Sequence, residues 1–407
     1  MKIISGGVCA PKGFKAGGIW CGIKAKSAKR DLALIYSEKC CNAAAMFTTN
    51  RVQAAPILIS RQHIAGGKLH AVIANSGNAN ACTGEAGLAA AKKMAELTAD
   101  EFALSVSHVA VASTGVIGVP LPIAAIENSI SALANSLQGD ESGHAAAIEA
   151  IMTTDTAKKE ISIEIDIGGM PVRIGGMVKG SGMIHPNMAT MLCFLTTDAA
   201  ISRELLEAGL QRAVRRSFHR VTVDGDTSTN DMALIMANGE ANNAPIQRSA
   251  EYEIFANALT EACVALARGM AKDGEGASKL VTVTVSSAED EKTAEKLAKA
   301  VASSSLVKTA CFGADANWGR ILCAMGYSGA EFNPELAAVS FRSSAGEIAV
   351  CSKGMPLPFS EDAAKKILSE NEIEILIDAG SLSGGKATVW GCDLSYDYVK
   401  INGDYRS

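Results

Sequence analysis

The residues of this sequence that are best suited to chemistry lie between Lys179 and Leu192. The segment begins with a flexible, glycine-rich lead-in and continues to a small residue, Ala189, then to Thr190 and an apolar run. A Thr hydroxyl here could attack the peptide bond that precedes it. Cleavage would leave Thr190 as a chain start that carries a hydroxyl and a free α-amine. Such an amine can activate a Thr nucleophile, and its ordinary pKa of ~8 suits a base near neutral pH.

A purely structural interpretation of the same segment stays open, because an Ala-Thr pair before an apolar run often begins a buried strand. Cys193 is a second candidate nucleophile, but its apolar neighbours favour burial in that strand. His185 is the one histidine near the segment. We interpret it as a loop residue that fixes the shape of the segment rather than as a base.

Three further polar positions are candidates for the same chemistry. Thr114 and Gly115 form a turn after an apolar run, where a hydroxyl and a backbone N–H could bind an oxyanion. Thr153 and Thr154 follow a predicted helix and could cap its end. Glu275 lies between two glycines at a predicted helix end, and from the residues alone this pattern is more typical of a surface turn.

Two longer segments are rich in small polar residues. Residues 75–84 follow an apolar strand, and they form either a site loop or an Asn/Gly turn. Residues 221–231 contain three Asp with Ser and Thr, but the spacing lacks the glutamate and the glycine of a calcium loop. We expect this segment to support the Thr190 region. No P-loop, dinucleotide fingerprint, zinc-type His pair or Gly-x-Ser-x-Gly motif is present.

The hydrophobic pattern predicts the elements that must position these residues. Alternation in 161–167 and the glycine pair that follows predict a hairpin. A boundary near 286–291 separates a domain of residues 1–285 from a smaller domain of residues 286–407. The other predicted strands are 32–36, 54–60, 71–74, 106–112, 191–195, 279–285, 372–377 and 387–392, and the predicted helices are 85–97, 122–137, 143–152, 202–218, 250–272, 291–303 and 361–369.

Composition is that of a soluble globular enzyme. The 407 residues are 48% apolar and 20% charged, and the net charge of −5 argues against nucleic acid and anionic membranes as partners. Glycines and prolines interrupt the one long uncharged window, 102–126. The first residues lack an apolar signal core, and the eleven cysteines include no Cys-x-x-Cys pair. We therefore expect a cytoplasmic protein with reduced cysteines.

The residues around the Ala-Thr pair resemble a known family. Lys179–Ile184 and Met188–Leu192 are similar to the self-cleavage region of the ornithine acetyltransferase family of arginine biosynthesis. Further similar segments are Met46–Asn50, 221–231 and Asp315–Gly319, so the resemblance covers essentially the full length. It implies an α/β (α+β) sandwich of the aminopeptidase/ornithine acetyltransferase superfamily, built around the Thr nucleophile, with a smaller C-terminal α/β domain. Self-cleavage would give chains 1–189 and 190–407 that remain together as an α2β2 assembly.

The same resemblance implies a role for each candidate residue. Thr190 is the nucleophile, Ala189–Thr190 is the cleavage site, and Thr114 and Gly115 form the oxyanion hole. Substrate binding is implied for Thr153 (or Thr154), Lys179, Glu275, Asn402 and Ser407, with the C-terminal tail returning to the site. Many relatives end in Thr where this chain ends in Ser, and the change keeps the hydroxyl.

The implied reaction is acetyl transfer from N2-acetyl-L-ornithine to L-glutamate by a ping-pong route through acetyl-Thr190. We expect Lys179 to bind the substrate carboxylate and Glu275 its cationic amine, because their charges are complementary. No bound cofactor and no metal are expected, and acetyl-CoA as a further donor stays open. The alternative is a self-cleaving aminopeptidase or amidohydrolase, in which water takes the acyl group.

Overall fold

The computed structural model describes residues 1–25, 27–185, 191–248 and 250–403. Ala189, Thr190 and Ser407 lie outside the described residues. The strands are β1 (Lys2–Ile3), β2 (Phe14–Ile19), β3 (Leu32–Phe47), β4 (Lys68–Asn78), β5 (Val109–Val116), β6 (Lys159–Ile167), β7 (Met170–Lys179), β8 (Leu192–Thr197), β9 (Met232–Ala237), β10 (Leu280–Ala288), β11 (Ala338–Ser343), β12 (Gly346–Ser352), β13 (Met355–Pro356), β14 (Glu372–Asp378) and β15 (Gly385–Cys392).

Helices connect these strands in both halves of the chain. The α-helices are α1 (Ala55–Ile64), α2 (Gly84–Glu101), α3 (Ile123–Glu127), α4 (Ile130–Asn135), α5 (Glu141–Ile151), α6 (Arg203–Arg216), α7 (Ala250–Lys272), α8 (Glu291–Ser303), α9 (Ser305–Phe312), α10 (Trp318–Gly326), α11 (Glu361–Leu368) and α12 (Tyr396–Asn402). Short 3-10 helices span Gly7–Cys9, Val106–His108, Phe218–Arg220 and Pro334–Leu336. The predicted α/β class is therefore confirmed.

The described residues form two compact units. Unit 1 comprises residues 1–180, 191–219 and 227–266, and unit 2 comprises residues 181–185, 220–226 and 267–403. The division therefore falls within α7, whereas the sequence predicts a boundary after residue 285. That position lies inside β10, which pairs with β14 and β15 in one sheet.

Unit 1 is built on a nine-stranded sheet in the order β1-β6-β7-β8-β9-β3-β4-β5, with β2 paired to β3. The pairs β4/β5 and β8/β9 are parallel. Side chains alternate along β4, so that Ile73 faces α2 and Val72 faces the other side. On that other side Val72 belongs to the same core as Phe194 of β8 and Leu234 of β9. The two halves of the sheet thus share one core, as expected for a sandwich.

Unit 2 contains a six-stranded sheet in the order β13-β12-β11-β14-β10-β15. Helix α8 packs against β10 and β15, and its Asp290 cap accepts a hydrogen bond from the Thr293 N–H at 2.7 Å. Asn317 caps α10 in the same way, by accepting from the Arg320 N–H. The Asp315–Gly319 segment therefore has a structural role in this unit.

Local predictions differ from the structure in a few places. The apolar run 54–60 is not a strand but the start of α1, because Pro56 lies in the first helical turn, where its fixed φ is favourable. The helix predicted over 122–137 is two short helices, α3 and α4, with a break at 128–129. Helices α7 and α8 have the predicted bounds.

Helix α7 is long and apolar enough to span a membrane by length and composition alone. Its most apolar window is 56% buried inside the molecule. Core helices of soluble proteins have the same length and composition.

Candidate active site

Asp155 lies at the centre of a buried polar cluster in unit 1. Its carboxylate accepts hydrogen bonds from the backbone N–H groups of Thr153, at 3.0 Å, and Gly180, at 2.7 Å. Lys159 pairs with it at 2.7 Å and Lys179 lies 3.9 Å away. Burial opposes ionisation, but the charges of Lys179 and Lys159 outweigh it and hold the pKa of Asp155 well below its usual range. An ionised Asp155 therefore gathers Thr153 and Lys179, two of the predicted substrate-binding residues.

Lys179 ends β7 and reaches the predicted oxyanion-binding turn. Its Nζ lies 3.4 Å from Oγ1 of Thr114, and both residues are buried. Gly115 follows with a φ of +133°, and a Cβ at this position would lie 2.3 Å from the carbonyl carbon of Gly77. A side chain at residue 115 would therefore force β4 and β5 apart.

Buried amides hold this turn in place. Asn230 Nδ2 donates to the carbonyls of Ala79, at 2.6 Å, and Ser113, at 2.9 Å. The Ser113 hydroxyl donates to Asn75 Oδ1 at 2.6 Å. Asn230, which belongs to the polar segment 221–231, thus supports this turn. Asn75 to Asn78, predicted as the start of a loop, belong to β4.

Asp231 fixes the residue that follows Thr190. Its Oδ1 accepts a hydrogen bond from the Met191 N–H at 3.0 Å, and the Met191 carbonyl accepts one from the Met232 N–H at 3.0 Å. The Asp231 side chain is completely buried, and burial raises the pKa of its carboxyl well above the usual range. Thr48 lies beside this carboxylate, but Oδ2 makes no hydrogen bond of good geometry with the described residues.

Glu275 and Asn402 meet in unit 2. Asn402 Nδ2 donates to Glu275 Oε2 at 2.8 Å, and the Glu275 N–H donates to the Ser181 carbonyl at 2.8 Å. A Cβ on Gly182 would lie 2.2 Å from the Glu275 carboxylate. Gly182, which the sequence predicts as part of a flexible lead-in, therefore packs closely against the Glu275 carboxylate, and a side chain at this position would displace it.

Asp224 anchors the segment that leads to the predicted cleavage site. Its carboxylate accepts hydrogen bonds from the backbone N–H groups of Met183, at 2.6 Å, and Ile184, at 2.8 Å. The Tyr398 hydroxyl of α12 lies 3.3 Å from the same carboxylate. The helix that bears Asn402 and the lead-in therefore share one anchor within unit 2.

The other two candidates near the predicted cleavage site have structural surroundings. Cys193 is fully buried in β8, and burial raises the pKa of its thiol well above the usual range, so its predicted burial is confirmed. His185 Nδ1 lies 3.3 Å from the Thr222 hydroxyl, and burial lowers the pKa of this histidine. A neutral loop histidine agrees with its predicted structural role.

The sequence does not predict the buried environment of three charged residues of unit 1. Asp155 and Asp231 are the last residues of two polar segments identified from the sequence, but the sequence does not indicate that they are buried. Lys24 donates to the Met152 carbonyl at 2.8 Å, and burial lowers the pKa of this lysine to about 8, with a smaller contribution from the charge of Lys179. No pattern around Lys24 indicates this environment.

The sheets with packed helices and the buried charged groups at strand ends define an α/β enzyme. Comparison with known proteins gives the family. The ArgJ family model matches residues 15–407. The arginine biosynthesis bifunctional protein ArgJ of Caldanaerobacter subterraneus subsp. tengcongensis is 50% identical over 410 residues, and that of Symbiobacterium thermophilum is 50% identical over 411 residues. Both alignments cover 100% of each chain.

A solved structure is also similar. The crystal structure of arginine biosynthesis bifunctional protein ArgJ from Bacillus halodurans is 43% identical, with a TM-score of 0.49, and the match covers 52% of this chain and 97% of that chain. The family match and the full-length relatives show that this chain belongs to the ArgJ family. The resemblance stated from the sequence is confirmed.

Proposed function

We propose that this chain is an acetyltransferase of arginine biosynthesis that moves the acetyl group of N2-acetyl-L-ornithine to L-glutamate. The observation that carries this conclusion is 50% identity over the whole length to relatives named as bifunctional proteins of arginine biosynthesis. The buried polar groups gathered around Thr114 and Lys179 support it, because acyl transfer needs donors directed at a developing oxyanion. The hydrolase alternative has less support from the relatives.

Thr190 is the proposed nucleophile, set free by cleavage after Ala189. Its α-amine takes the hydroxyl proton while Oγ attacks the acetyl carbonyl, and Thr114 with the Gly115 N–H binds the resulting oxyanion. Collapse breaks the amide C–N bond, and ornithine leaves with the proton that the amine had taken. The amine of glutamate then attacks acetyl-Thr190, which restores the free hydroxyl.

Asp231 supports this proposal through its bond to Met191, the residue directly after the nucleophile. A chain start formed at Thr190 would be mobile unless its second residue were fixed. Met191 is fixed by both its N–H and its carbonyl. We therefore assign Asp231 as a positioning residue for the nucleophile.

Lys179 is the proposed partner of the substrate carboxylate. Lys159 is the closer ion-pair partner of Asp155, at 2.7 Å against 3.9 Å for Lys179. The Lys179 ammonium is thus held near Asp155 by Coulomb attraction. Thr153 belongs to the same proposed binding surface, since its backbone N–H binds the same aspartate.

Glu275, Asn402 and the terminal Ser407 are the proposed partners of the ornithine side chain. Glu275 offers a carboxylate that is 7% exposed and oriented by Asn402, which is suited to binding an ammonium group. We further propose that the two processed chains form a cytoplasmic α2β2 assembly. Its mass would be about twice the 42.1 kDa of one chain, which light scattering would measure.

A two-donor assay tests this function. The protein is incubated with N2-acetylornithine and isotope-labelled glutamate, and labelled N-acetylglutamate, ornithine and acetate are quantified. We expect equal amounts of N-acetylglutamate and ornithine, and no transfer by Thr190→Ala. Release of acetate in place of N-acetylglutamate would establish the hydrolase alternative. Repeating the assay with acetyl-CoA as the donor tests whether this chain uses it as a co-substrate.

A further inference from the structure

Cys40, His70 and His108 lie together in unit 1, and none of them is among the residues assigned to acetyl transfer. One candidate ligand atom from each, a thiol sulfur or an imidazole nitrogen, lies within 4.8 Å of the other two. The two imidazole centroids are 5.6 Å apart, and all three residues are half-buried. Such a group of sulfur and nitrogen donors is close enough to converge on one ion.

Strand register brings the two histidines together. In the parallel pair β4/β5, Ala71 is opposite Val109, so the residues before them, His70 and His108, are neighbours. An irregularity in the pairing of β3 with β4 places Cys40 near these histidines. The pairing jumps from Tyr36–Ala71 to Cys41–Leu69, so that residues 37–40 of β3 face His70 alone. Bulges of this kind re-aim side chains, and here the bulge places Cys40 beside the histidines.

The hydrogen bonds of the cluster suit metal binding. The Ser37 carbonyl lies 2.9 Å from His70 Nδ1, and since a carbonyl can only accept, this nitrogen carries the proton and Nε2 carries the lone pair. Metal-binding histidines commonly donate their second N–H to a backbone carbonyl in this way.

We propose that Cys40, His70 and His108 bind a zinc ion, with water as the fourth ligand. A thiolate with two imidazoles is a set of soft and borderline donors that suits Zn²⁺ and its analogue Co²⁺ rather than Mg²⁺ or Ca²⁺. The ion would tie β3, β4 and the start of β5 together where the bulge interrupts the ladder. The sequence does not predict this site, because its ligands come from two strands and the 3-10 helix before β5, and they lack zinc-type spacing.

The proposed zinc site is distant from Thr114 along β5. His108 precedes β5, and Thr114 lies six residues further along the chain, about 20 Å away at the usual rise of a strand. Zinc should therefore stabilise unit 1 without taking part in catalysis. At a concentration about 100-fold above its Kd, zinc should raise the Tm by roughly 5 °C or more.

Cobalt spectroscopy of the full-length protein tests the proposal. Protein freed of metal by a chelator, in reducing buffer, is titrated with Co²⁺ and then with Zn²⁺. We expect a near-ultraviolet thiolate-to-cobalt band with visible bands of a tetrahedral ion, at one Co²⁺ per chain, displaced by an equivalent of Zn²⁺. Cys40→Ser should abolish the thiolate band, and His108→Gln should weaken binding more than about 100-fold, since even outer partners are worth 10–100-fold.

Cys323→Ser is the matched control, because Cys323 is an exposed thiol on α10 in unit 2. It should leave the cobalt spectrum unchanged, and Cys40→Ser should retain wild-type acetyl transfer. Absence of the thiolate band from the wild type, or its survival in Cys40→Ser, would overturn the proposal. Circular dichroism shows whether each variant is folded, and His70→Gln gives an independent test if one of the other two is not.

Discussion

Asp155→Asn is the substitution whose consequences the structure defines most fully. The wild-type carboxylate has no exposed surface and faces two ammonium groups whose side chains are 3% exposed. The amide is nearly isosteric, but its single oxygen can accept from only one of the Thr153 and Gly180 N–H groups, which bond different oxygens of the carboxylate. The change therefore removes the charge with little change of shape, and it removes the attraction of Asp155 for the buried Lys159 and Lys179.

The magnitude follows from the two distances. At an effective dielectric constant of ~20, the attractions of Asp155 to Lys159 at 2.7 Å and to Lys179 at 3.9 Å are about 6 and 4 kcal/mol. Desolvation of three ions cancels much of this sum, so the intact cluster contributes little net stability. Removing one partner is different, because the remaining charges stay buried, and this costs about 3–5 kcal/mol. For a unit of this size we expect the Tm to fall by roughly 6 °C or more.

Differential scanning calorimetry of matched variants measures this effect. Asp100→Asn, an exposed position on α2, should change stability by no more than about 0.5 kcal/mol. The double variant Asp155→Asn/Lys159→Met should be more stable than Asp155→Asn alone, because it removes one of the two buried ammonium groups. The reasoning is wrong if Asp155→Asn unfolds within about 1 °C of the wild type, or if the double variant is the least stable of the set.

Three further predictions concern single residues of the site. Asp231 has a raised pKa in the folded state, so its contribution to stability is complete below its unfolded pKa of ~4 and is lost as the pH rises through the folded pKa. The Tm of Asp231→Asn should lack this decline with pH. Parallel Tm–pH curves for the variant and the wild type would contradict the raised pKa. Glu275→Gln should raise the KM for N2-acetylornithine about tenfold or more, since a hydrogen bond to a charged group is worth about 1.5–3 kcal/mol, and an unchanged KM would refute its role. Gly115→Ala should lower kcat by about 100-fold or more, the usual cost of a disturbed oxyanion hole, whereas wild-type turnover would exclude this turn from the mechanism.

Much of the secondary structure follows from local patterns. Helix α8 is predicted at its observed bounds because its apolar positions recur at helical spacing after a capping Asp290. The hairpin of β6 and β7 is predicted because strict alternation is followed by Gly168 and Gly169. The run at 54–60 is wrongly predicted as a strand, because a short apolar stretch fits a strand and a buried helix equally well.

The charged groups around the site are less predictable, because burial and long-range pairing decide their state. Thr114 and Lys179 are identifiable as candidates from composition and resemblance, yet only strand order places them 3.4 Å apart. Asp155 and Asp231 have the same side chain and opposite pKa shifts. The difference lies in the two lysines that face Asp155, and no local pattern encodes it.

The intact mass of the denatured protein, recorded with and without brief exposure to N2-acetylornithine, tests most directly whether Thr190 is the nucleophile. With Thr190 as the nucleophile, we expect two fragments, 1–189 and 190–407, and one acetyl group added to the 190–407 fragment after exposure. Thr190→Ala should remain one uncleaved chain without acetyl. A wild-type protein that stays uncleaved, or an acetyl group carried by the 1–189 fragment, would contradict the assignment of Thr190 as the nucleophile.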